Sequence, residues 1–386
     1  MKITNLLFRV FRWPRSNVIR NGTMTYGDGV LFLLDVHTDE GLVGQGWLGG
    51  TAAERPLELF TVYRDYFTNW VIGKNPLQSS SIVGEIERSH IKTFGLAGAH
   101  SQICAALNCA LWDIKGKHQA KPVHSLLAGE DQSRRVRAYI AGGYYLGEDE
   151  GGLGIERLRS ELCHNVNVLG AKGVKLKVGD SRVGLDIDTR RVAAARDEIG
   201  QDVELMVDAN CAFQDVGTAV RYAKAFAPYD ILWFEEPFRP DAFDLHREFA
   251  AQKIIPIATG ENITTVSHFR EMIEQGVVQY VNADVAILAG GYDAGIEVAR
   301  IAKAKNCVLA PHGCQELQCH FVAAADPQEG RLEIYPQALD VARDQIFPQP
   351  FTIDEHGYVD LPNDPGLGRT PNAEAISKYQ VYASGA

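Results

Sequence analysis

Near residue 134 the hydrophobic rhythm of the chain changes. Before it, Ile3 to Trp13 is rich in apolar, β-branched and aromatic residues and predicts a strand. Val30 to His37 predicts a second and Leu42 to Leu48 a third, with Asp39-Glu40-Gly41 supplying the turn between them. Helical periodicity follows at about Ala53 to Trp70, Ser81 to Ile91 and Ala97 to His118. Strands followed by helices predict an α+β domain over residues 1–130. Beyond it, short apolar runs start at Val136, Gly173, Glu204, Ile231, Pro256, Tyr280, Cys307 and Arg331. Helical patterns separate most neighbours, as at Val192 to Ile199, Ala219 to Phe226, His268 to Gln275 and Ala294 to Lys305. Such alternation predicts βαβ units and a parallel sheet. Eight strands over residues 131–345 predict an α/β barrel rather than a doubly wound sheet, since no G-x-G-x-x-G follows the first run. The remainder, 346–386, has no barrel unit of its own. Its apolar stretches Phe351 to Ile353 and Tyr358 to Leu361 flank Glu355-His356-Gly357 and predict a hairpin that packs back on the first domain.

Composition narrows the function. Of 386 residues 46% are hydrophobic and 23% charged, the balance of a globular protein. The net charge of -11, without a run of Lys or Arg, argues against a nucleic-acid partner. It leaves an anionic substrate open, because a bound cation inverts the local field. The seven cysteines are scattered and never spaced C-x-x-C, which predicts free, buried or half-buried thiols in a reducing compartment. Arg9 and Arg12 interrupt the apolar N-terminus, which predicts no cleaved leader, and no run is long enough for a membrane span. The expected location is the cytoplasm.

Ionisable groups recur at the ends of the predicted barrel strands. Lys175 and Lys177 close the second, Asp208 the third, Glu235-Glu236 the fourth and Glu261 the fifth. Asp284 belongs to the sixth, His312 to the seventh and Glu333 to the eighth. In a barrel these positions converge on one mouth. Three carboxylates from consecutive strands, Asp208, Glu235 and Glu261, would repel each other at low dielectric. A hard cation resolves that repulsion, and oxygen-only ligands favour Mg²⁺. Lys175 and Lys177 share one face of their strand, so each is expected to depress the other's pKa and make one a base. Asp284 is expected to hold the His312 imidazole, giving a second base. A buried Glu333 is expected to be protonated and able to donate to an oxyanion.

With these residues in this order, the chain resembles the enolase superfamily, and within it the mandelate racemase subgroup. The resemblance spans nearly the whole chain and implies a modified TIM barrel of the (β/α)7β type, a capping domain and a C-terminal return to the cap. It implies Asp208, Glu235 and Glu261 as metal ligands, Lys177 as the lysine base with Lys175 beside it, Asp284 and His312 as the Asp-His dyad, and Glu333 as the glutamate of the eighth strand. A muconate-lactonizing enzyme would carry lysine where Asp284 stands. Glucarate dehydratases read D-P-N and E-D-P where this chain has Asp208-Ala209-Asn210 and Glu235-Glu236-Pro237. Mannonate dehydratases have histidine in place of Asn210.

The resemblance implies a small-molecule carboxylate substrate on Mg²⁺, loss of its α-proton to Lys177 or His312, and an enediolate. Elimination of a β-hydroxyl would make the chain a dehydratase of an aldonate or aldarate; reprotonation or ring chemistry would make it a racemase, epimerase or lactone cycloisomerase. A non-catalytic barrel protein is the remaining alternative. Polar residues favour dehydration. Arg20, Asn21 and Tyr26 in the first loop, with Asn210, are expected to bind the hydroxylated chain, and Gln315, Glu316 and Gln318 to extend the rim. A homo-oligomer is the expected assembly.

Overall fold

The first strand runs further than its apolar part suggests. In this computed structural model, β1 (Ile3–Arg20) pairs antiparallel with β2 (Thr25–Thr38) from Ile3 to Arg20, its register broken between Pro14 and Ile19. The polar end of β1 looks like loop in the sequence, yet it forms the top of the hairpin. The description covers residues 1–49, 63–95, 97–129, 134–146, 154–336, 340 and 342–384. The first part of the helix predicted at Ala53 to Trp70, and the expected domain boundary at 130/131, lie outside these residues.

β3 (Val43–Gly49) adds to β2, and α1 (Arg64–Val71), α2 (Ser79–Phe94), α3 (Ala99–His118) and α4 (Val123–Ala128) follow. α3 is buried on nearly every side, because it lies between the cap sheet and the barrel. Small residues allow this. A Cβ on Gly44 or Gly46 of β3 would meet the backbone carbonyl of Ala110 or Ala106 at 2.1 and 1.9 Å, so the helix backbone rests directly on the strand.

The barrel begins with β4 (Arg135–Gly142), whose continuation β5 (Tyr145–Leu146) leaves it to pair with the end of β1. α5 (Ile155–Asn167), β6 (Gly173–Lys177), α6 (Leu185–Ile199), β7 (Glu204–Asp208), α7 (Val216–Phe226) and β8 (Ile231–Glu235) continue it. α8 (Phe243–Ala250), β9 (Ile257–Thr259), α9 (Val266–Glu274), β10 (Tyr280–Val281) and α10 (Gly291–Ala304) come next. β11 (Val308–Leu309), α11 (Gln315–Ala325) and β12 (Arg331–Ile334) complete the set. The parallel order is β11-β10-β9-β8-β7-β6-β4-β12. No ladder joins β11 to β12 among the described residues, so the eight-strand barrel is nearly closed. Among the described residues no helix of the barrel repeat follows β12, in keeping with the (β/α)7β form.

Strand residues alternate between two fillings. Val174, Leu176, Leu205, Val207 and Phe234 face the surrounding helices, while Tyr139, Met206, Trp233, Ala258 and Ala310 plug the interior. The polar ends of β6, β7, β8 and β12 share the inward face with the plug and stand above it.

The C-terminal part divides its attachments. α12 (Arg343–Ile346) spans the expected boundary at 345/346. Ile353 and Val359 bridge antiparallel, as the predicted hairpin requires, but β13 (Tyr358–Asp360) lies on β4 of the barrel and not on the cap. Among the described residues of this part only β14 (Gln380–Ala383) returns to the cap sheet, against β1. The apolar pattern fixes a hairpin locally but carries nothing about which sheet edge receives it. Among the described residues no helix is long and apolar enough to cross a membrane.

Candidate active site

The register of the barrel brings the acids together. Lys177 of β6 stands beside Asp208 of β7, and Asp208 beside Glu235 of β8. Glu261 comes from the loop beyond β9, since that strand ends at Thr259. Asp284 and His312 likewise lie in loops beyond β10 and β11, whose ladders are only two residues long. One carboxylate oxygen from each of Asp208, Glu235 and Glu261 lies within 4.8 Å of the others.

The two lysines sit inside this cluster. Lys175 Nζ contacts Glu235 Oε1, lies 2.7 Å from Glu333 Oε1 and 3.8 Å from Asp208 Oδ2. Lys177 Nζ pairs with Asp208 Oδ2 and lies 5.3 Å from the centre of the Tyr144 ring. On the other flank His312 Nδ1 donates to Asp284 Oδ2 at 3.1 Å, and His312 Nε2 is 3.7 Å from Glu261 Oε2. Lys177 therefore touches one end of the carboxylate triad and His312 the other.

Two electrostatic expectations need correction. Burial pulls Lys177 down and Lys175 repels it, but Asp208, Tyr144 and Glu261 together outweigh them, and Lys177 is held above its ordinary value. Lys175, against burial, is likewise held up by Glu235 and Glu333. Mutual depression is thus overridden by the neighbouring acids. Glu333 is held down rather than up: although burial opposes it, Lys175 and His312 lower its carboxyl to about 2. It accepts from Gly313 N–H at 3.1 Å and from the Tyr335 hydroxyl at 3.0 Å. His312 is pushed up to about 10; burial lowers it, but Glu261 and the Asp284 hydrogen bond prevail.

Charge is left over. Asp208, Glu235, Glu261, Asp284 and Glu333 face Lys175, Lys177 and His312, so the acids outnumber the cations by two before Glu236 is counted. Burial, with repulsion from Asp208 and Glu333, raises Glu235 to about 8 against the pull of Lys175. Burial also raises Glu261. Glu261 Oε2 is buried with no hydrogen-bond partner. Hard oxygen donors, an orphaned carboxylate oxygen and excess negative charge fit a divalent cation such as Mg²⁺.

The expected substrate-binding residues divide differently. Arg20 is buried and pairs with Asp180 at 3.0 Å. Asn21 folds its own loop: Oδ1 accepts from Thr23 and Met24 N–H, and Nδ2 donates to the Tyr26 hydroxyl at 2.5 Å. Tyr26 meets Tyr144 edge to face at 6.0 Å, on the Lys177 side. Asn210, at φ +46°, has a buried Oδ1 without a hydrogen-bond partner, and its carbonyl receives Thr23 Oγ1 at 3.0 Å. Gln315, Glu316 and Gln318 do not form a rim. All three are buried and bonded to Tyr335 N–H, Arg343 and Asp284, respectively.

Sequence reasoning missed Trp233, Tyr144 and Tyr335. Trp233 Nε1 donates to Glu235 Oε2 at 2.8 Å, and strand alternation already places the two on one face. Tyr144 and Tyr335 lie beyond strand ends, where periodicity carries no signal. All seven cysteines are free, but Cys163 is exposed, not buried or half-buried as expected.

Residues 157–375 match the family described as Enolase C-terminal domain-like, and residues 6–128 match the Mandelate racemase / muconate lactonizing enzyme, N-terminal domain. An arabinonate dehydratase of Saccharolobus solfataricus is 33% identical over 290 residues, 74% of this chain and 74% of its own length. A D-galactarolactone cycloisomerase of Agrobacterium fabrum is 27% identical over 395 residues, 99% of each chain. The crystal structure of a racemase from Streptomyces coelicolor with bound magnesium is similar with a TM-score of 0.86 at 25% identity, covering 98% of this chain and 100% of that one. Asp208, Glu235 and Glu261 match the divalent metal site of the superfamily. The chain belongs to the enolase superfamily, in its mandelate racemase / muconate lactonizing enzyme group.

Proposed function

We propose that the chain is a Mg²⁺-dependent dehydratase of an acid sugar, an aldonate or aldarate, that converts it to the 2-keto-3-deoxy acid. The observation that carries the reading is the pair of proton-transfer groups, Lys177 and His312, at opposite ends of one carboxylate triad. A divalent cation held by Asp208, Glu235 and Glu261 supplies positive charge that favours loss of the proton next to a carboxylate and opposes the pull of the acids on Lys177 and His312.

The side chains do the rest. Lys177 or His312 takes the α-proton, and Asp284 holds the ring of His312 in orientation. The C–O bond at the β-carbon breaks as His312, or the group opposite, delivers a proton to the departing hydroxyl. Water leaves, and the enol becomes the 2-keto acid. Lys175, pinned between Glu235 and Glu333, keeps a positive charge beside the carboxylate end of the substrate. The partnerless Asn210 Oδ1 and the Tyr26 hydroxyl are the proposed contacts for substrate hydroxyls, whereas Arg20 and Asn21 bond within the loop and its surroundings.

A second reading, lactone cycloisomerisation, draws on the relative that spans 99% of the chain. Purified protein with Mg²⁺ and a library of aldonates, aldarates and their lactones separates the two. Dehydration releases a 2-keto-3-deoxy acid; isomerisation opens, closes or inverts the substrate without loss of water. Absence of any 2-keto product across the library would overturn the dehydratase reading.

A further inference from the structure

Glu236 is a buried acid that the proposed chemistry does not use. It follows Glu235, is fully buried, and has φ +42°, a left-handed conformation costly for a side chain other than glycine. Strain of this kind persists only where its surroundings fix it. Here the surroundings are four donors. Thr259 Oγ1 donates to Oε1, and Gly260 N–H to the same oxygen at 2.9 Å. Asn262 Nδ2 donates to Oε2 at 3.2 Å, and Cys211 Sγ to it at 3.0 Å.

These donors come from the ends of β7 and β9, and Glu236 from the end of β8, the three strands that lead to the metal-site carboxylates. Cys211 lies in the turn after Asp208, Glu236 itself follows Glu235, and Gly260 and Asn262 flank Glu261. Asn262 Nδ2 also reaches Glu261 Oε1 at 3.3 Å. The backbone repeats the tie: Cys211 N–H donates to the Glu236 carbonyl at 2.7 Å, and Glu236 N–H to the Ala258 carbonyl at 2.9 Å. All four donors, three side chains and one backbone N–H, are neutral, so they satisfy the carboxylate without cancelling its charge.

We infer that Glu236 is a positioning residue for the divalent cation: its carboxylate locks the ends of β7, β8 and β9 in one register and adds negative charge behind the triad. This rests on the metal reading above. A carboxylate has only acceptors to offer four donors, whereas an amide turns one of its two ends into a donor. Glu236→Gln therefore breaks part of the tie and removes the charge at nearly constant volume. Supporting groups around a metal site typically change affinity by ~10–100-fold.

The test is a calorimetric Mg²⁺ titration of wild-type, Glu236→Gln and Thr259→Val protein, with circular dichroism and apo melting temperature measured beside it. Glu236→Gln is expected to raise the Mg²⁺ Kd by ~10–100-fold, and Thr259→Val by about threefold or more, with native secondary structure retained. A merely structural role would lower the apo melting temperature and leave Kd where it was, and that result overturns the inference. Should Glu236→Gln fail to fold, Thr259→Val decides alone, since it removes one donor to Glu236 and touches no metal-site carboxylate. Wild-type protein that binds no Mg²⁺ would instead overturn the metal reading, and this inference with it.

Discussion

His312 and His320 lie close together in sequence, one in the loop beyond β11 and one within α11, and both rings are largely buried. Their environments drive them apart. His312 faces Glu261, Asp284 and Glu333 and is pushed up to about 10 despite its burial. Among the described residues no acid acts on His320. It stacks on His124 with ring centres 5.6 Å apart, accepts from His124 N–H at 3.2 Å and meets the Leu367 carbonyl at 3.0 Å. Burial and His124 push it down to about 3. The barrel mouth thus concentrates uncompensated charge, while the seam between α4, α11 and the C-terminal segment uses the same side chain as a neutral clamp. What surrounds the ring, not how deeply it is buried, decides which role it takes.

The largest break in this comparison comes from the acids that make the mouth different. Asp208→Asn removes one triad member and leaves Lys177 without its counter-charge. Mg²⁺ affinity is expected to fall by more than ~100-fold, beyond the loss typical of a supporting group. Calorimetric titration of the variant checks this; affinity within a few-fold of wild type would show that the acids do not hold the cation. The seam responds more modestly, and to acid. The folded pKa of His320 lies below its unfolded value, so its contribution to stability is complete above pH ~6.5 and is lost as pH falls toward 3. The wild type should lose about 1.4 kcal/mol per pH unit below that point relative to His320→Gln. In the metal-free protein His312 acts in the opposite sense, its contribution being complete below ~6.5 and lost as pH rises through about 10. Denaturant unfolding at pH 7, 6 and 5 reads the difference. Parallel wild-type and variant curves would mean that His320 is not held neutral.

The barrel mouth was largely legible in the sequence, whereas the His320 seam was not. Short apolar runs with helical stretches between them predict the barrel, strand parity puts Lys175 and Lys177 on one face, and Asp208, Glu235 and Glu333 fall at strand ends that converge on one mouth. The metal-site residues were legible as acids at successive strand ends, in the pattern of the family the chain resembles. Signs of charge were not: whether Lys177 is lowered by Lys175 or raised by Asp208 depends on ångström distances that spacing does not encode. The first loop was legible as polar, yet Arg20 and Asn21 bond within the scaffold. Nor could sequence show that β13 docks on β4, because edge-strand pairing is decided by long-range packing.

The central claim is that an α-proton leaves a substrate carboxylate between Lys177 and His312. Release of label from an α-deuterated acid sugar, followed by NMR with Mg²⁺ present, tests it in wild type, Lys177→Ala, His312→Asn and the double variant. Wild type should release the label together with water. At least one single variant should lose release by on the order of 10²–10⁴-fold, and the double variant should be silent while still binding Mg²⁺. Label retained in a product of the wild type, or release at the wild-type rate by the double variant, would contradict the account.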